Sequence, residues 1–295
     1  MSMEVNRQEL KARARERLRA SHPAFWKITL VYLLLTSGVT AVADLAGAAR
    51  IGLPPLHLDT FALFLSLLVI LYTTVMHLGY QWWALRTYRQ QPTGYGALID
   101  GFSMAGRVIL MNVVIFFSAL GWAVAFALPY SLVLFLLSGL VSSGVGMLFF
   151  SLLAMGGAFL GSLWIGYRYA MAPYLLADYP DDGAGAAVRR SVEMMRGRKW
   201  ELFKLYVSFL GWELLGVLLT LLAYLPFLPG ILAQVNSVAQ FYSVLSSLIP
   251  ATGLALLINL PLTLWLTPYR TAAEALFYRS ILEGRPAALE TEAQS

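Results

Sequence analysis

Few side chains in this sequence have both the chemistry and the setting to act on a ligand. Glu213 is the foremost, lying between Trp212 and Leu214 and nine residues after Lys204 in an apolar run. On a helix, that spacing places it about 13 Å beyond the lysine. An ionisable group at membrane depth is costly and by default marks an ion, proton or amine site. The plainer account pairs it with a buried donor such as Asn112, Asn259 or a tyrosine hydroxyl, or neutralises it by desolvation. Glu213, Asn112 and Asn259 are therefore the candidates for an intramembrane polar site.

A second candidate group is Arg168, Arg270 and Glu274. Arg270 and Glu274 have the i, i+4 spacing of a helical ion pair. Arg168 stands between Tyr167 and Tyr169, where its long stem lets the charge reach toward water. The three would converge at a cytoplasmic mouth or act as separate interfacial anchors. His77 reads as a satisfied core histidine, Asp44 as an interfacial group, and Asp181 and Asp182 as caps for the helix that follows.

Other chemistry is poorly supported. The chain has no cysteine and three scattered histidines, which leaves no thiolate site or nucleophile and no expected metal centre. GxSxG, GxxxxGK[ST] and HExxH are missing from the sequence, so the expectation is a non-enzyme without a cofactor.

The elements that must position these residues follow from hydropathy. Of 295 residues, 59% are hydrophobic and 13% charged, with mean hydropathy +0.68; a soluble domain carries about 25% charged residues. Long apolar runs predict transmembrane helices over 25–43 and 61–83, two long ones within 108–177, and further ones over 202–225 and 248–266. A signal peptide competes for the first, since Ala46-Gly47-Ala48 would suit a peptidase, but the segment is too long for a signal core. With this assignment, every Lys and Arg except Arg50 falls on one side, which becomes the cytoplasmic side, with both termini inside. The net charge of +5 then points to anionic lipid headgroups rather than nucleic acid. Arg13, Arg17, Arg189, Arg196, Arg198 and Lys199 are the expected headgroup contacts.

A threefold pattern runs through the chain. Amphipathic stretches precede each outward span: Leu10, Ala14 and Leu18; Tyr95, Leu98, Ile99 and Phe102; Ala184, Val188, Val192 and Met195. They would lie in the interface or pack on the bundle. The returning spans end alike, in GYQWWALRTYR, GYRYAMAPYLL and PYRTAAEALFYR. The fold expectation is an all-α polytopic bundle of six spans arranged as three hairpins, each preceded by an amphipathic helix. Residues 1–23 form a basic segment, 24–282 one membrane domain (repeat units about 5–90, 94–178 and 183–282), and 283–295 a disordered cytoplasmic tail. Gly157 and Gly161 have the GxxxG spacing of close helix packing.

YRYAMAPYLLADYP, SVEMMRGRKWELFKLYVSFLGWELL, LIDGF and PYRTAAEALFYRSIL resemble the bacterial membrane family called domain of unknown function 975. The resemblance implies a polytopic cytoplasmic-membrane protein and transfers no site residues. Two functions remain in view: a non-catalytic scaffold, regulator or envelope-stress partner, and a small-molecule or lipid transporter with Glu213 in a cavity between repeats. A cavity reaching Glu213 is the feature that separates them.

Overall fold

The computed structural model describes residues 7–48, 60–91, 93–137, 144–229 and 238–283. Arg50, Pro54-Pro55 and the tail from residue 284 lie outside them, as does the side chain of Asp44. No strand occurs among the described residues, in keeping with the all-α expectation.

In chain order, α1 is Arg7–Arg19 and α2 is Phe25–Leu33, which passes through a π-helical turn (Leu34–Gly38) into α3, Val39–Ala48. Then come α4 (Thr60–Tyr88), α5 (Gly96–Asp100), a 3-10 turn (Gly101–Met104) and α6 (Ala105–Leu136). The second half holds α7 (Gly144–Tyr169), α8 (Ala172–Asp178), α9 (Gly183–Met194), α10 (Lys199–Val207), α11 (Leu210–Tyr224) and α12 (Val238–Glu283). Six of these stretches are long and apolar enough to cross a membrane, so the protein is a multi-pass membrane protein. Among the described residues of the apolar region 108–177 are two long helices, α6 and α7, followed by the short α8, and Pro129 sits inside α6.

Two spans differ from expectation. The fifth is not one continuous helix, because α10 and α11 break at Ser208 and Phe209. Ser208 donates its hydroxyl to the Leu205 carbonyl, and its backbone N–H is shared between Lys204 and Leu205. Such back-bonding tightens and bends a helix. The sixth span is embedded in a much longer helix: α12 has 46 residues and includes Pro250, Pro261 and Pro268. At 1.5 Å per residue it is about 69 Å long, more than twice the ~30 Å hydrocarbon core, so it must extend well beyond the membrane.

The core sits at one end. Trp83, Tyr174, Phe209, Phe277 and Tyr278 are fully buried there, with α8, α9 and the last turns of α4 and α12. Leu63, Phe64, Leu67 and Ile70 of α4, Phe149 and Leu152 of α7, and Leu256 and Leu257 of α12 are exposed. That is the surface expected of helices whose far halves face lipid tails, since lipid is as apolar as leucine.

The apolar stripe of α1 faces protein: Ala14 has no exposed surface, Leu10 and Leu18 are buried, and the helix packs on α12 and α4. Lys11 donates to the Ser208 carbonyl at 2.7 Å and lies over the Phe209 ring. The lysine thereby caps a carbonyl at the α10–α11 break. Burial and the charge of Arg15 hold its ammonium below the usual lysine range. In α5 and its flanks, Leu98 is buried while Tyr95, Ile99 and Phe102 are exposed. The close seating of α5 on α4 requires glycine, because a Cβ at Gly79 would stand 2.3 Å from the Leu98 carbonyl oxygen. Gly157 and Gly161 correct the packing expectation: a Cβ at either meets nothing within 4 Å.

Candidate functional site

Helices α11 and α12 run side by side and leave a groove of about 580 Å³ between them. Its polar side chains form three rungs. At the core end, Arg270 Nη1 donates to Glu213 Oε1 at 3.0 Å. Midway, Asn259 Nδ2 donates to Thr220 Oγ1 at 3.1 Å. At the far end, the hydroxyls of Tyr224 and Thr252 bond at 2.8 Å. From Glu213 to Tyr224 the ladder covers roughly 16 Å of helix. Between the rungs the walls are mostly apolar, formed by Val217, Leu221, Leu256 and Leu262, with Thr263 and Thr267 also on the lining.

The Glu213 partner is therefore an arginine, not the amide or hydroxyl considered from sequence. Both charges stay accessible, Glu213 at 47% and Arg270 at 42% exposure. Arg270 also approaches Glu274 through Nε, at 3.7 Å from Oε1. Glu274 is the more enclosed carboxylate, with Tyr174 donating to Oε2 at 3.5 Å and Tyr206 bonded to it as well.

Asn259 shares the groove with Glu213, whereas Asn112 lines a separate pocket of about 360 Å³ with Tyr32, Thr73, His77 and Gln81. The Asn112 amide donates to its own helix, at Val108 O. His77 has partners on both ring nitrogens, Tyr32 hydroxyl at 3.2 Å and Gln81 at 3.4 Å. Arg168 is held by aromatic faces, with its guanidinium carbon 5.2 Å from the Trp164 ring centre and 5.7 Å from that of Trp122. Asp181 and Asp182 make no side-chain cap; they pair with Arg107 and Arg190 instead.

Among the expected headgroup contacts, Arg13 pairs with Glu9, Arg17 lies over Tyr88, and Lys199 lies over Trp164. Arg189 and Arg196 are exposed and Arg198 is half-buried. No group of three or more His, Cys, Asp or Glu suited to a metal occurs among the described residues.

The rungs beyond Glu213 and Asn259 escaped the sequence reading, although a signal was there. Glu213, Thr220 and Tyr224 follow i, i+7, i+11, while Thr252, Asn259, Thr263 and Arg270 follow i, i+7, i+11, i+18. These are single-face helical spacings. Also unforeseen was Asp178, which accepts two bonds from Arg89 Nη2 at 2.7 Å and one from Tyr278 at 2.9 Å.

Taken together, the groove offers a separable pair of opposite charges, neutral hydrogen-bonding rungs and apolar walls, an arrangement suited to holding an amphiphile. No curated protein and no solved structure matches the chain. A family model spans residues 1–285, and the chain accordingly belongs to the family described as protein of unknown function, DUF975.

Proposed function

We propose that this is a non-catalytic, lipid-handling protein of the bacterial cytoplasmic membrane, whose α11–α12 groove holds a zwitterionic amphiphile. The observation that carries this reading is the groove reaching the exposed Glu213–Arg270 pair. A headgroup bearing both an amine and a phosphate matches such a pair, the amine meeting Glu213 and the phosphate Arg270. Its tails would lie along the apolar walls. This favours the lipid-handling alternative over a pure scaffold.

The same proposal includes three hairpins, each preceded by a cytoplasmic amphipathic helix, and both termini in the cytoplasm. Support for the hairpins comes from the packing of α3 on α4, α6 on α7 and α11 on α12. Support for the orientation comes from the placement of every Lys and Arg but Arg50 on one side of the six spans. Exposed Arg13, Arg189 and Arg196 suit a surface facing anionic headgroups.

The test is native mass spectrometry of protein extracted with its lipids. Glu213→Gln keeps the shape and removes the charge. It should lower retention of an amine-and-phosphate lipid about tenfold, the worth of one charge-assisted bond of about 1.5 kcal/mol. Gly216→Leu, which fills the groove where Asn259 and Leu262 lie opposite, should do the same. Unchanged retention in both variants would sink the reading.

A further inference from the structure

The returning spans place Gln81, Arg168 and Arg270 at corresponding points, and the three are neutralised very differently. Gln81 is uncharged and bonds His77. Arg270 has Glu213 at 3.0 Å and Glu274 at 3.7 Å. Arg168 has no carboxylate within 4 Å among the described residues, and its buried Nε lacks a hydrogen-bond partner. It has a cation, Lys199, as a charged neighbour. Lys199 Nζ lies 3.9 Å above the centre of the same Trp164 ring that Arg168 faces, and Lys199 too has no carboxylate within 4 Å among the described residues.

Two further features make this corner positive. Lys199 occupies the first turn of α10, where the helix dipole opposes a cation. Burial and the neighbouring charge of Arg168 both pull the Lys199 ammonium below its ordinary range. Trp164 and Trp122, in edge-to-face contact at 4.8 Å, floor the site at the junction between the core end and the lipid-facing half of α7. Tryptophan favours that depth in a bilayer because its ring is apolar and its N–H polar. Aromatic faces hold the cations in place without neutralising them, which leaves this corner open to an outside anion.

We propose that Arg168 and Lys199, seated on Trp164 and Trp122, form a binding site for the phosphate group of an anionic membrane lipid. The guanidinium supplies a fork of donors matched to phosphate oxygens, and the ammonium supplies a second point charge. This site is independent of the α11–α12 groove and involves neither Glu213 nor Arg270.

The protein is reconstituted in nanodiscs containing phosphatidylglycerol diluted in phosphatidylcholine, and bound lipid is counted by native mass spectrometry. Replacement of Arg168 by Gln should lower phosphatidylglycerol retention about fivefold, as should Lys199→Gln, the effect of about 1 kcal/mol per basic residue at an anionic surface. Lys199→Arg should restore it. Arg19→Gln, which removes an exposed charge from the last turn of α1, should leave it unchanged. Competition identifies the source of the phosphate: resistance to millimolar inorganic phosphate is expected of a lipid. Displacement by inorganic phosphate that depends on Arg168 and Lys199 would overturn the lipid as occupant. Equal loss in the Arg19→Gln control, or no loss in either Gln variant, would overturn the site. Retention of the amine-and-phosphate lipid in the Glu213→Gln variant is read separately, so failure of one proposal is distinguishable from failure of the other.

Discussion

Asp178 ties together segments far apart in the chain. Its carboxylate receives Arg89 from the end of α4 and Tyr278 from the end of α12, while it belongs to α8. With the Asp178 side chain 9% exposed and Arg89 28%, the pair is substantially enclosed. Removing one partner leaves an uncompensated charge. Asp178→Asn is therefore expected to cost about 3 kcal/mol, seen as a lower thermal midpoint in detergent, whereas Tyr278→Phe should cost about 1 kcal/mol. Equal midpoints for Asp178→Asn and the parent would contradict this account. In the sequence, Asp178 reads as part of a turn before Pro180, because nothing local announces partners 89 and 100 residues away. Glu213 was legible as an outlier in an apolar run, but its arginine was not. Hydropathy marks the cost of a buried charge without naming what offsets it.

Helices show a similar division. The stripe of Leu10, Ala14 and Leu18 is plain in the sequence and leaves open whether it faces lipid or protein, since either is an apolar medium. The fold seats it on α12 and α4, with Lys11 reaching the carbonyl at the α10–α11 break. The chain has no native cysteine, so a single Cys at the buried position Ala14 reports on this seating. Adding Lys11→Met to Ala14→Cys is expected to raise the thiol labelling rate several-fold; an unchanged rate would show that the lysine does not hold the helix. For α5, the requirement lies in its partner helix. Gly79→Ala would drive a methyl into the Leu98 carbonyl and is expected to destabilise by at least the 1–3 kcal/mol typical of overpacking (about 2). Trypsin cleavage after Arg89 or Arg107, flanking α5, should accelerate in that variant. The corresponding Gly166 meets nothing within 4 Å, so Gly166→Ala should leave cleavage unchanged. Identical motif glycines thus differ in necessity, which the repeat alone does not reveal.

For the whole molecule, charge and hydropathy together predict six spans with the basic ends on one side, and the six apolar helices agree in number. The proposed orientation rests on the retention of Lys and Arg in the cytoplasm. A single Cys in place of His57 should react with a membrane-impermeant maleimide in intact spheroplasts, while Ser295→Cys should react only after permeabilisation. The reverse pattern would invert the topology. Span number was readable from sequence because it depends on local composition, averaged over a helix length. Which faces meet lipid and which meet protein was not readable, since Leu63 and Leu78 have the same hydropathy although one is 57% exposed and the other 2%. The groove, the Asp178 junction and the Arg168–Lys199 corner arise from pairings between distant helices. They depend on how the spans converge at the core end and separate beyond it, a packing outcome that no single window of residues encodes.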